Sequence, residues 1–502
     1  MEMKNKPGLI NNKNGALTRG NRPWILLWFG IIFFLQLAPF LFFGIPGFWG
    51  DDLHIIQELD NSGLSGTIAK WIDEYGYAYR PIGYSLLSLS YFLFSFSAES
   101  MFILSLLSYL LLTYLVYLFS LQQTGSPGVS ICITSLFCFS PFSYTAILQF
   151  SSLYMIYSFI LVMVIFILRD SERLQNKTML KVLSSTLWLV ILLMYEQAIG
   201  LLALLIIMEF YGTFDGHLLR SAFRTIKSNT LIITVTLTFL VFYFLTPGNP
   251  KVNSVTQLND LSESISLEQK NAEPKKINSA TTTRQHNEVA NSFYNSRIEA
   301  LLSKSEKVLT YFLHNATYAI EQVLSSTWLA AIIVTVFIIF HFITNKLVSF
   351  GPSKQTARVL CGFGIIWGGL CLLPFFLYSS LHIPVYGLVL PWIGVSFFVG
   401  SLFLLTKNLN GKQIPLLLFS LCLFFCYLQQ IGFQVGLKNE LGQYASYAQA
   451  SKNNHSNYPE NVSHIFWLNN IILSRHQKAV STLNPKLFSI DRKDSHIVRR
   501  AE

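Results

Sequence analysis

The chain has 502 residues, of which 52% are hydrophobic and 12% charged, with a formal net charge of +10. A soluble domain is about a quarter charged, so this much apolar surface does not fit inside one soluble core. It falls in long runs that read as bilayer spans. The positive charge is spread over the segments between those runs, which excludes a nucleic-acid-binding face and gives the charge a topological role.

In chain order, residues 1–23 carry Lys4, Lys6, Lys13, Arg19 and Arg22 against Glu2. They precede an apolar run too long for a signal-peptide core and without a small-residue cleavage site, so the run reads as a retained anchor with its N-terminus inside. Spans are expected at Trp24–Gly44, Met101–Leu121, Val129–Phe142, Ser152–Leu168, Val182–Met194, Ala198–Tyr211, Leu231–Leu245, Trp328–Ile343, Val359–Tyr378, Leu388–Leu405 and Pro415–Val435. That makes about eleven, with Pro81–Phe96 open between a surface helix and a further span. The segments expected inside hold Arg169, Arg173, Lys177 and Lys181, then Arg220, Arg224 and Lys227, then Lys346, Lys354 and Arg358, then Lys407 and Lys412. The first segment expected outside holds Asp51, Asp52, Glu58, Asp60, Asp73 and Glu74 against Lys70 and Arg80. The positive-inside alternation holds across the first ten spans, and the basic tail from Lys438 is its exception.

The expected organisation is therefore a basic cytoplasmic stretch at 1–23, a multi-span membrane domain at 24–435, and a short outer-face tail at 436–502. Within the membrane domain, 48–98 is a first outer loop with interfacial helices and 247–327 a large outer loop. From Phe293 onward the large loop gains helical periodicity, and an amphipathic surface helix is expected there. The six cysteines, Cys132, Cys138, Cys361, Cys371, Cys422 and Cys426, all lie in apolar runs without metal-site spacing and read as packing residues.

Three polar signals stand out against this background, all expected on the outer face. Phe48-Trp49-Gly50-Asp51-Asp52 places two carboxylates just beyond an aromatic interface, suited to a general base or to a divalent cation facing phosphate. Tyr79-Arg80-Pro81 sets an arginine fork at the start of a helix, where Pro belongs in the first turn. Tyr195-Glu196-Gln197 puts an acid in a short turn between two apolar runs, where it needs a partner or a task.

A first span, an outer Asp-Asp, an Arg-Pro entering an interfacial helix and a short acid-bearing turn together resemble the GT-C membrane glycosyltransferases. Within that group the pattern is similar to the protein O-mannosyltransferases with tetratricopeptide repeats and to the serotype-converting glucosyltransferases that modify O-antigen. The stretch from Tyr386 to Gly394, with its Leu-Pro-Trp-Ile-Gly end, is similar to a late Tyr-Leu-Pro-Ser-x-Gly stretch of the former. Pro141-Phe142-Ser143-Tyr144-Thr145-Ala146 stands where the mannosyltransferases have His-Thr-Glu, Tyr195 replaces their Lys, and no repeat array follows. These departures favour the glucosyltransferase branch.

The resemblance implies a GT-C-like all-α polytopic fold with an outer catalytic loop after the first span. It also implies inverting transfer of a hexose, glucose-like by preference, from a polyprenyl-phosphate donor to O-antigen, another surface polysaccharide or a glycolipid. On that reading Asp51 or Asp52 is the base, Arg80 binds the donor phosphate, and Glu196 orients the acceptor or the base. Trp49, Tyr79 and Tyr84 are the substrate-binding aromatics, and Mg or Mn, if used, would sit on Asp51 or Asp52. The expected location is a bacterial inner membrane with the site facing the periplasm. The competing classes are an O-antigen polymerase or ligase and a flippase or transporter of lipid-linked sugars.

Overall fold

The computed structural model describes residues 22–48, 51–75, 80–94, 97–170, 177–245, most of 315–347, and then 354–377, 388–406 and 413–452. Among these residues there is no strand. This follows from the apolar composition, because an α-helix is the one single segment that satisfies its own backbone where no water is available. The helices are α1 (Arg22–Phe43), α2 (Asp51–Tyr75), α3 (Pro81–Leu93), α4 (Ala98–Thr124), α5 (Pro127–Cys138), α6 (Ser143–Leu148) and α7 (Leu153–Asp170). They continue as α8 (Lys177–Met194), α9 (Gly200–Thr213), α10 (Leu218–Leu245), α11 (Thr327–Leu347), α12 (Lys354–Leu377), α13 (Val389–Thr406) and α14 (Gln413–Lys452).

Among the described residues, five helices are long and apolar enough to cross a bilayer: Pro23–Phe43, Ala98–Thr124, Phe150–Arg169, Leu218–Tyr243 and Leu416–Lys438. Six shorter apolar helices occupy the remaining apolar runs. The outward faces of the long and short helices display Leu26, Phe33, Leu107, Leu111, Phe242 and Phe342. Apolar exposure on that scale would be an aggregation liability in water and is the expected surface in lipid. The chain is an all-α integral membrane protein.

Several elements differ in extent from the sequence expectation. The ambiguous Pro81–Phe96 stretch is the 13-residue α3, ending at Leu93; at 1.5 Å per residue it is ~20 Å long, short of a crossing. Helix α10 starts at Leu218, so Arg220, Arg224 and Lys227 sit on its first turns rather than in a loop. Its entry is tied by Asp215, which accepts from the His217 backbone N–H at 3.2 Å and the Ser221 hydroxyl at 3.0 Å. Those donors hold the Asp215 carboxyl below its ordinary range. Helix α14 continues 17 residues past Val435, to Lys452. The loop 247–314, including the amphipathic stretch expected from Phe293, and the tail from residue 453 lie outside the described residues.

The run expected as one span at Val129–Phe142 is broken. Helix α5 stops at Cys138, the chain turns, and α6 begins at Ser143. Every residue from Gly128 to Ile156 is buried, so this irregular stretch is enclosed by the bundle. Its freed carbonyls are met by side chains from distant helices. Gln36 of α1 and Gln430 of α14 both donate to the Cys138 carbonyl, at 2.9 and 3.1 Å. Tyr109 reaches the Phe137 carbonyl at 3.0 Å, and Trp392 reaches that of Leu136 at 2.7 Å. A second defect is repaired in the same way. Pro39 inside α1 removes the N–H that would reach the Leu35 carbonyl, and the Tyr427 hydroxyl donates to that carbonyl at 2.8 Å.

None of the six cysteines forms a disulfide, and four of them are buried, as packing residues would be. Asn315, the first residue of an Asn-Ala-Thr triplet, has no exposed surface, which closes that triplet to glycosylation in the folded chain. Helix α12 crosses α13 closely, where glycines let the backbones meet, as small residues do in membrane bundles. A Cβ on Gly364 would lie 2.5 Å from both the Gly394 carbonyl oxygen and the Phe398 nitrogen. Gly364→Ala is expected to force these backbones apart at a cost of about 1–3 kcal/mol or more. Thermal unfolding in detergent should show a lower midpoint; an unchanged one would contradict this crossing.

Candidate functional site

The site is built around the start of α3. Pro81 occupies the first turn, where its missing N–H costs nothing, and Arg80 is the residue before it. Arg80 has φ 52° and ψ 43° and is the one non-glycine residue with positive φ among those described. A left-handed arginine before proline stores strain of order 1–3 kcal/mol and persists only where its surroundings over-determine it.

Those surroundings are visible. The Arg80 guanidinium grips Glu196 with two parallel bonds, Nε to Oε2 at 2.6 Å and Nη2 to Oε1 at 2.9 Å. Its Nη1 donates to the Tyr154 hydroxyl at 2.7 Å. The cation also lies 5.6 Å from the centre of the Tyr154 ring and 5.3 Å from that of Tyr195. Arg80 is 8% exposed and Glu196 4%. A bidentate pair with this little solvent is geometrically specific. Gly83, one turn along α3, makes the approach possible. A Cβ there would meet the Met194 carbonyl oxygen at 2.9 Å and the Tyr154 ring at 3.1 Å.

Asp52 forms the second anchor. It has no exposed surface. Its Oδ1 accepts from the Tyr91 hydroxyl of α3 at 2.7 Å and from the Ser151 backbone N–H, and its Oδ2 accepts from the Phe150 backbone N–H at 3.2 Å. Phe150–Ser152 is a single 3-10 turn leading into α7, so Asp52 takes up N–H groups that a helix start leaves without partners.

One short segment joins the two anchors. Within Gln149–Tyr154, Phe150 and Ser151 hold Asp52 while Tyr154 holds Arg80. Residues 52, 80 and 196, far apart in sequence, therefore converge on the junction of α6 and α7. Tyr84 is half-buried, with its ring 5.8 Å from that of Tyr154. Asp51 is the first residue of α2, and its side chain lies outside the described residues, as do Trp49 and Tyr79.

Tyr91, Tyr154 and the 150–151 backbone were not singled out in the sequence, and Tyr195 was noted only as the residue before Glu196, not as a ring facing Arg80. Each lies in an apolar or aromatic run, and the one hint was the Ser-Ser-Leu-Tyr pause at 151–154. At the other end of α7, Arg169 binds the Asn229 side chain and lies 3.3 Å from Glu209. From Tyr154 to Arg169 is ~22 Å along the helix, so the two polar clusters mark opposite ends of the bundle.

No group of three His, Cys, Asp or Glu gathers among the described residues. Three hydrogen-bond donors converge on Asp52, whereas a cation site presents oxygens, so Asp52 does not fit the Mg or Mn role expected of it. Compared with models of known protein families and with curated proteins, the chain finds no match. The functional reading rests on the residues themselves.

Removing one partner of a buried pair leaves the other charge uncompensated, at a cost of about 3–5 kcal/mol. Glu196→Gln is therefore expected to lower the unfolding midpoint markedly. Arg80→Lys is expected to do so in part, since an ammonium keeps the charge and loses the fork. Wild-type stability in Glu196→Gln would mean that the pair does not form.

Proposed function

We propose that the protein is an inverting glycosyltransferase of the GT-C type, which moves a hexose from a polyprenyl-phosphate donor to a surface polysaccharide or glycolipid. The observation that supports this most is the convergence of Asp52, Arg80 and Glu196 on one end of an apolar helix bundle. A membrane-embedded isoprenoid would keep its tail in lipid there while its phosphosugar head meets polar groups. On this reading the apolar helices make about eleven crossings with the N-terminus inside, and the site faces the periplasm.

Asp52, occupied by three donors, anchors the start of α2. The base is then its neighbour Asp51, which removes the acceptor hydroxyl's proton as that oxygen attacks the anomeric carbon. The bond from that carbon to the phosphate oxygen breaks, the electron pair leaves with the phosphate, and the anomeric centre inverts. Arg80 stabilises the departing phosphate. Glu196 acts as a positioning residue, since both its oxygens hold the Arg80 fork.

The test is transfer of labelled sugar in membranes, across a panel of polyprenyl-phosphate hexoses. Asp51→Asn is expected to cut turnover ~10²–10⁴-fold, the range of a lost positioned base, with the folded amount unchanged. Asp52→Asn is expected to lower thermal stability as well as turnover, because its anchoring bonds are weakened. Near-normal turnover in Asp51→Asn would refute the base assignment. No transfer by wild type would redirect the search to lipid-flipping and polymerase assays.

A further inference from the structure

The segment that joins the two anchors also carries side chains whose hydrogen-bonding capacity is unused. Gln149 has no exposed surface, and neither its amide nitrogen nor its amide oxygen has a partner among the described residues. The same holds for the hydroxyls of Ser151 and Thr145, both in residues less than a tenth exposed. Other polar groups of this stretch are satisfied. Ser143 donates to the Ser140 carbonyl at 2.8 Å, Ser152 to those of Ala146 and Gln149 at 2.7 Å, and Tyr144 to that of Gln36 at 2.9 Å.

A buried amide without partners costs several kcal/mol relative to water, and native interiors rarely leave one so. Such atoms occur elsewhere in the bundle, but four within seven residues gather only here among the described residues, and their position says which kind of ligand would suit them. Ser151 gives its backbone N–H to Asp52, and Tyr154, three residues on, binds Arg80. Thr145 lies on α6 and Gln149 directly follows that helix, with the Gln149 backbone N–H on the Thr145 carbonyl at 3.0 Å.

We propose that Gln149, with Ser151 and Thr145, forms the subsite that binds the hydroxyls of a neutral sugar ring. A carboxamide offers two donors and an acceptor, and a hydroxyl offers one donor and two lone pairs. The Gln149 amide therefore pairs with two neighbouring ring hydroxyls at once, while Ser151 and Thr145 either give or accept. No charge is present on these three side chains, which suits an uncharged hexose better than a uronic acid or an amino sugar. A site built to bond a hydroxyl rejects the analogue that lacks it, because the protein group is then left buried and unpaired. Gln149 is thus a residue that sets donor specificity. This inference rests on the glycosyltransferase reading and adds the sugar subsite to it.

The experiment measures transfer by the full chain in membranes from polyprenyl-phosphate glucose, its galactose and mannose counterparts, and the single deoxy analogues of the preferred one. Gln149→Leu and Ser151→Ala are compared with wild type, and unfolding midpoints are recorded in detergent. Gln149→Leu is expected to lose at least tenfold in kcat/KM with the preferred hexose and to flatten the preference over one deoxy analogue. Its midpoint is expected to stay level or rise, because an unsatisfied amide has been removed. Ser151→Ala is expected to give a smaller loss in the same direction. Wild type that transfers sugar, beside a Gln149→Leu variant of unchanged preference, would overturn the subsite and leave the transferase reading standing. A lowered midpoint with unchanged preference would overturn it too, as the mark of an amide held by internal water. Wild type without transfer from any donor would overturn both.

Discussion

Inside an apolar bundle every peptide group that leaves helical geometry must find its partner within the protein, because lipid offers none. Among the described residues, the stretch from Phe139 to Ser152 departs from continuous helix while fully enclosed. Its cost is met by side chains placed far away in sequence: Gln36, Tyr109, Trp392 and Gln430 all donate to carbonyls at the end of α5 or just after it. The bonds also fix where α1, α4, α13 and α14 stand. The break in α5 and the assembly of the bundle are thus one problem with one solution.

The same break delivers the candidate site. A continuous helix would carry residues 149–154 through the bundle with their N–H groups bonded to their own turns. Restarting the helix at this level exposes the Phe150 and Ser151 N–H groups, which Asp52 then occupies. It also brings Tyr154 to the head of α3, where it shares Arg80 with Glu196. Helix α3 is consequently held near both ends, by Arg80 at its entry and by Tyr91 on Asp52 near its exit. That double grip explains how an arginine is kept in left-handed geometry.

Much of this architecture was legible in the sequence, and the limits were physical. Long apolar runs mark helices because only composition and length matter there, and each such run carries one. The extents were less readable. Arg220 and Arg224 suggested a loop by their charge, yet long basic side chains lie easily on a helix end that leaves the apolar layer. Arg80 and Glu196 were conspicuous as isolated charges, and burial without a partner would be costly, but which charge met which depended on how the helices pack. Tyr91, Tyr154 and Gln149 were hidden because an aromatic or an amide in an apolar run resembles any packing residue. Their role depends on a hydroxyl or amide that only the tertiary neighbours reveal.

Helix α14 has a consequence for how that end of the molecule can be reached. Gln434 and Lys438 on α14 donate to the Gly44 and Phe43 carbonyls where α1 finishes, at 2.7 and 2.6 Å. Those bonds fix the level at which α14 leaves the bundle, beside the turn that leads into Asp51. The helix then continues without a break for a further 14 residues, to Lys452, a rise of ~21 Å. A helix of that length beside the end of α1 narrows the directions from which a bulky molecule can approach that end of the bundle.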